Sequence, residues 1–176
     1  MHLNNPSAIN SDDGQGAGQY IDLVDVEFGG EVSFNWWGHF ETFHTFSRVF
    51  DFGDGEDDDN VILCNEGSTA QVRAALKEGS AVLADVYAST LSSYVDTHIV
   101  LRLSTSTGNK ADVFINGDLS QSLSMTAPLP TLTRTNHWMG RSNWVHDDYF
   151  DGWMQAFSVY KRALSDSEIE DLVTLL

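Results

Sequence analysis

Apolar and polar residues alternate with a period of two along most of this chain, not with the 3.6 of a helix. The strictest stretch is Val32-Ser33-Phe34-Asn35-Trp36, and Trp37 begins the complementary face. Residues 19–23 and 48–52 also alternate, and 61–64 are apolar throughout. Further short runs follow at 72–76, 81–86, 98–103 and 113–115, each bounded by Gly, Ser, Asn or Asp. Short strands punctuated by turn residues predict an all-β sandwich or barrel. Gly108-Asn109 and Asn116-Gly117 reach positive φ at little cost, so residues 112–115 read as a hairpin strand between them. Alternation places Phe34, Trp36, Phe50, Phe52, Ile62, Val100, Phe114, Ile115, Phe157, Val159 and Leu164 in the expected core. Phe114 and Ile115 are adjacent, so at most one of them reaches the main core.

The pattern breaks once. Ser165-Asp-Ser-Glu168 is a capping box, in which the Ser hydroxyl accepts from the first turn and the Glu reaches back to the cap. Ile169, Leu172 and Val173 follow at helical spacing, and a short helix from about Asp166 is predicted.

A chain of 176 residues that is 41% hydrophobic and 11% aromatic has material for one well-packed domain. No internal repeat or linker divides it, so a single domain over 1–176 is expected. No apolar run approaches the ~20 residues of a membrane helix. Nine basic against 26 acidic residues give a net charge of −17, which repels phosphate backbones and anionic lipid surfaces. Neither nucleic acid nor a membrane is an expected partner. Cys64 is the lone cysteine, which excludes an intrachain disulfide; at the end of an apolar run it reads as a small buried hydrophobe. Residues 1–10 have neither a basic nor an apolar signal region, so no signal peptide is expected, and the chain reads as a domain of a longer protein.

Charge is unevenly placed. The first sixty residues carry thirteen acids and one base, Arg48, and six of the acids fall in DFGDGEDDDN, residues 51–60. Such a run is either a solvated loop or a set of oxygen ligands for a hard cation. Catalytic motifs are sparse. There is no Gly-x-Ser-x-Gly elbow, no phosphate-binding loop and no His-Glu-x-x-His helix. On the strand bearing Trp37, alternation sets it with Asn35 and His39. An indole beside amide and imidazole groups is a candidate sugar platform, because the ring stacks on C–H faces while its neighbours bond hydroxyls. Trp144, with Asn143, stands in a polar loop and is a second candidate contact.

Taken together, residues 18–37 (GQYIDLVDVEFGGEVSFNWW) and 46–64 (FSRVFDFGDGEDDDNVILC) resemble the opening of the laminin-G-like, concanavalin A-type jelly roll. Residues 97–119 resemble its central hairpin, and 138–172, with Tyr160-x-Arg162-Ala-Leu-Ser165, its closing strand and helix. The resemblance spans about 18–173 and implies two stacked antiparallel sheets. Glucanases of this superfamily carry Glu-x-Asp-x-Glu on one strand. Here Asp25-Val26-Glu27 is a fragment and the full cluster is missing, so no enzyme is expected. The resemblance also implies a calcium site like that of pentraxin-like relatives, with Asp59 and Asn60 facing Asp147 and Asp148. A second arrangement would join Asp12 or Asp13 to the start of the last strand, where the family's acid is replaced by Gln155. The expected function is a non-catalytic, extracellular or cell-surface module that binds a glycan, with calcium as its candidate cofactor. The alternatives are a protein-binding or adhesive module of a larger assembly and, third, a polysaccharide-active enzyme.

Overall fold

The computed structural model describes residues 1–5, 18–106 and 108–174. Asp12 and Asp13 lie outside the described residues. The strands are β1 (His2–Leu3), β2 (Ile21–Asp22), β3 (Glu27–Phe28), β4 (Val32–Thr42), β5 (Arg48–Gly53), β6 (Val61–Asn65), β7 (Gln71–Glu78), β8 (Ala81–Thr90), β9 (Thr97–Ser104), β10 (Lys110–Ile115), β11 (Asp118–Ser124), β12 (Leu132–Thr133), β13 (Asn136–Met139) and β14 (Asp151–Tyr160); the helix is α1 (Asp166–Val173). One sheet runs β1-β14-β4-β9-β10-β11, the other β2-β13-β5-β6-β7-β8, and β3 pairs with β12. The ladders are antiparallel. This is the two-sheet jelly-roll sandwich with one short C-terminal helix that the sequence predicts.

The alternation of β4 decides which face is inside. Phe34 and Trp36 are fully buried between the sheets. Phe34 meets Phe50 of β5 at 5.2 Å between ring centroids, and Trp36 meets Phe150 edge-on at 6.2 Å. Asn116 and Gly117 take φ of 53° and 89°, the mirror-image turn that matches strand twist, and they close the β10–β11 hairpin. Ser165 accepts from Glu168 N while the Glu168 carboxylate accepts from Ser165 N, so the capping box forms as read.

Two coverings lie outside the sandwich. The C-terminal segment lays Leu164 and Ile169 on Val100 and Phe114, which face outward from β9 and β10. Ile115 packs against the main core instead, so the adjacent pair does split. Ile62 is buried as expected but on the outer face of the second sheet, with Cys64 and Ala75 beneath Trp144. Val159 corrects the expected core: it is 37% exposed. β1 pairs with β14 at Gly152 and Trp153, and Met1 continues the ladder by exchanging backbone bonds with Met154.

Candidate functional site

The outer face of the second sheet carries a pocket of about 260 Å³. Its floor comes from alternate positions on neighbouring strands: Arg48 on β5, Ile62 and Cys64 on β6, and Arg73, Ala75 and Lys77 on β7. Phe46, Asp57, Trp144 and Asp147 form its walls. Three of the nine cationic side chains of this very acidic chain converge here.

The wall that bears Trp144 is fixed by one buried carboxylate. Asp51 is fully buried. Its Oδ2 accepts from Asn143 N at 2.9 Å and from Arg48 Nε at 3.4 Å, and its Oδ1 accepts from Asn143 Nδ2 at 2.9 Å and Asn60 Nδ2 at 3.1 Å. Asn136 Nδ2 in turn donates to Asn143 Oδ1 at 2.7 Å. Asn60 lies so close to Gly53 that a Cβ there would sit 2.3 Å from its Nδ2, so only glycine fits. Arg48 also donates to Phe46 O at 2.6 Å and to Asp147 Oδ2 at 2.5 Å, where Ser142 Oγ joins at 2.9 Å.

The indole of Trp144 lies near two cations, the Arg48 guanidinium at 5.4 Å and the Lys77 ammonium at 5.6 Å from the ring centroid. Both lie within cation–π range. Lys77 pairs with Asp57 at the rim. Arg73 grips Asp85 with two bonds, of 2.7 and 2.9 Å, and lies near the rings of Phe46 and Tyr87. Burial raises the Asp147 carboxyl above its usual range, opposed by Arg48 and Ser142. Burial also pushes the Cys64 thiol up to about 11, so it is a neutral apolar floor rather than a nucleophile. The pocket therefore offers one half-buried aromatic face, a small apolar floor and a ring of charged donors and acceptors.

The five expected ligand contacts divide between the two outer faces. Trp144 walls the pocket, whereas Asn143 does not line it: it is buried and its amide is bonded to Asp51 and Asn136. Asn35, Trp37 and His39 share the outer face of the first sheet. There Trp37 stacks on His98 at 5.3 Å, and Asn35, itself buried, pairs through Oδ1 with His98 Nε2 at 2.5 Å. His39 Nδ1 pairs with Asp96 Oδ1 at 2.7 Å. Burial pushes His98 down to about 4, so its ring is neutral at pH 7.

The four residues expected to hold calcium each have protein hydrogen-bond partners. Asn60 is turned onto Asp51, and Asp147 is held by Arg48 and Ser142. Asp148 Oδ2 accepts from Thr45 N at 2.9 Å, and Asp59 Oδ1 accepts from Gly79 N at 2.7 Å. Buried Arg134 donates to Asp59 O at 2.6 Å, and Asp54 Oδ1 accepts from Thr135 N at 2.6 Å. The acidic loop is thus fastened by protein donors. The pocket cations Arg73 and Lys77 are absent from the sequence expectations. Their signal is Arg73-x-Ala75-x-Lys77, with bases at alternate positions on a strand and hence on one face.

A family model of the concanavalin A-like lectin/glucanases superfamily matches residues 13–170. No curated protein sequence matches the chain significantly. Among solved structures, the chain is similar to the CBM40 carbohydrate-binding module of a Ruminococcus gnavus IT-sialidase bound to α2,6-sialyllactose. That match has 15% identity and a TM-score of 0.69, over 88% of this chain and 96% of the module. It is also similar to domain 4 of AbnA, a GH43 extracellular arabinanase from Geobacillus stearothermophilus, in complex with arabinotriose: 17% identity, TM-score 0.65, 95% of this chain and 86% of that one. A heptameric SAP-like pentraxin from Limulus polyphemus matches at 9% identity and TM-score 0.67, over 94% and 80%. At such identities these structures speak for the fold alone. With the sandwich, the closing helix and the family match over most of its length, the chain belongs to the concanavalin A-like lectin/glucanase superfamily.

Proposed function

We propose that this chain is a non-catalytic glycan-binding module and that its sugar site is the pocket walled by Trp144. The observation that carries the reading is the indole set near Arg48 and Lys77 and packed against the apolar floor of Ile62, Cys64 and Ala75. A pyranose or furanose ring presents C–H faces to an aromatic ring and hydroxyls around its edge, and this pocket presents the complement of both. At about 260 Å³ the space suits one sugar ring, below the roughly 300–1,000 Å³ of drug-sized sites. Relatives of the same fold solved with sialyllactose and with arabinotriose support a glycan as the ligand class.

The reading leaves no role for hydrolysis. A retaining glycosidase needs a free carboxylate pair about 5–5.5 Å apart, whereas Asp147 is tied to Arg48 and Ser142 and Asp57 to Lys77. It also needs no ion, since the acidic side chains around the pocket already have protein donors. A place outside the cell or on its surface accords with a glycan ligand, and no helix among the described residues is long and apolar enough to cross a membrane.

A glycan array that includes sialylated lactoses and arabino-oligosaccharides, run in calcium and again in chelator, tests this. Binding to a defined set of glycans, unchanged by chelator, is the expected result. A blank array, with the protein shown to be folded, contradicts it.

A further inference from the structure

A second group of side chains has no part in the sugar pocket. His2, Glu41 and Asp151 bring one imidazole nitrogen and two carboxylate oxygens within 4.8 Å of one another, the one such group among the described residues. Strand pairing assembles it. β1 lies against the start of β14 through His2↔Trp153 and Leu3↔Gly152. On β14's other side, Asp151 pairs with Thr42 and Gly152 with Phe40, so Glu41 is the extra residue of a β-bulge. Bulges re-aim a side chain at the cost of a ladder bond, and this one belongs to the group.

Each member is oriented. Asp151 is buried, and its Oδ1 accepts from Asn5 N at 2.9 Å. The His2 ring lies flat on Trp153, 4.9 Å between centroids and 4° between planes. Its Nε2 is closed off from solvent, 3.1 Å from Glu41 Oε1, yet makes no hydrogen bond of good geometry.

We propose that His2, Glu41 and Asp151 bind a divalent transition-metal ion of the zinc class. Ligands about 2.0–2.1 Å from a tetrahedral ion lie roughly 3.4 Å from one another. The His2–Glu41 pair, at 3.1 Å, is near that spacing, and an Asp151 carboxylate oxygen lies within 4.8 Å of both. The imidazole in the set favours zinc, cobalt or nickel over calcium and magnesium, which take oxygen ligands. The ion clamps the two-residue strand β1 onto β4 and β14. The site is independent of the glycan reading.

Zinc chloride titrated into the full chain, followed by calorimetry and by melting temperature, tests the proposal. One zinc per chain is expected, with a rise in melting temperature, because the ion binds the folded arrangement alone. Calcium at the same concentration leaves the transition unmoved. Glu41→Gln and His2→Ala each weaken zinc binding by at least about tenfold while their far-ultraviolet circular dichroism stays that of the wild type. The absence of any heat or shift at millimolar zinc overturns the proposal. Zinc affinity equal in wild type and both variants also overturns it, since the ion would then sit elsewhere.

Discussion

Asn143 binds Asp51 twice, through its backbone N–H to Oδ2 and through its side-chain amide to Oδ1, each at 2.9 Å. The pair joins β5 to the loop that carries Trp144, across ninety-two positions of sequence. Arg48 supplies the countercharge from the same strand. The position of the aromatic wall is therefore set by one buried carboxylate.

Asp51→Ala leaves the Arg48 guanidinium and the amides of Asn60 and Asn143 facing an apolar gap. Breaking a buried, hydrogen-bonded charge pair by removing one partner costs about 3–5 kcal/mol. Denaturant titration is expected to show a loss of that order, and any glycan binding should fall with it. A loss under about 1 kcal/mol would show that the loop is held by other contacts.

His98 makes stability pH-dependent with a definite sign. Its folded pKa is depressed to about 4 by burial, against about 6.5 in an unfolded chain. The unfolded state therefore takes up the proton first as pH falls. The neutral ring's contribution is fully present above about 6.5 and is lost on the way down to about 4, reaching ~2–3 kcal/mol near pH 4.5. His98→Gln cannot titrate. Stability measured at pH 7 and pH 4.5 should fall more in the wild type than in this variant. Equal falls would contradict the assignment.

The helix offers a smaller test. Ser165→Ala removes the oxygen that accepts from Glu168 N, and N-cap losses of this kind cost about 1 kcal/mol. Phe34→Ala, at the centre of the sandwich, should cost roughly 3–5 kcal/mol. Denaturant midpoints of the two variants should preserve that order.

Elements whose local chemistry agrees with their environment were legible in the sequence. Val32, Phe34 and Trp36 alternate because one face of β4 is core. Ser165 and Glu168 stop a strand and start a helix by bonds made within four residues. Asn116-Gly117 turns because its backbone reaches positive φ. The face of Ile62 was not legible, because β6 is buried on both faces and its run of apolar residues has no alternation to read. β11 went unread, with Ser and Gln at alternate positions and Leu119 and Leu123 left exposed. The pocket depends on tertiary order: Arg48, Arg73 and Trp144 are far apart in sequence, and only the adjacency of β5, β6 and β7 and the anchored loop bring them together. The acidic residues suggested an ion because adjacent carboxylates look like ligands. Asp59, Asp148 and Asp54 accept from the backbone amides of Gly79, Thr45 and Thr135, partners that residue types do not announce.

The most direct measurement is calorimetric titration of the strongest glycan from the array into the wild type, Trp144→Ala and Trp37→Ala, each checked for fold by circular dichroism. Loss of the indole wall should weaken binding roughly tenfold or more, the equivalent of about 1.4 kcal/mol, while Trp37→Ala, on the opposite sheet, should bind as the wild type does. Wild-type affinity in Trp144→Ala, or binding abolished by Trp37→Ala alone, would place the sugar site on the other face and contradict the account.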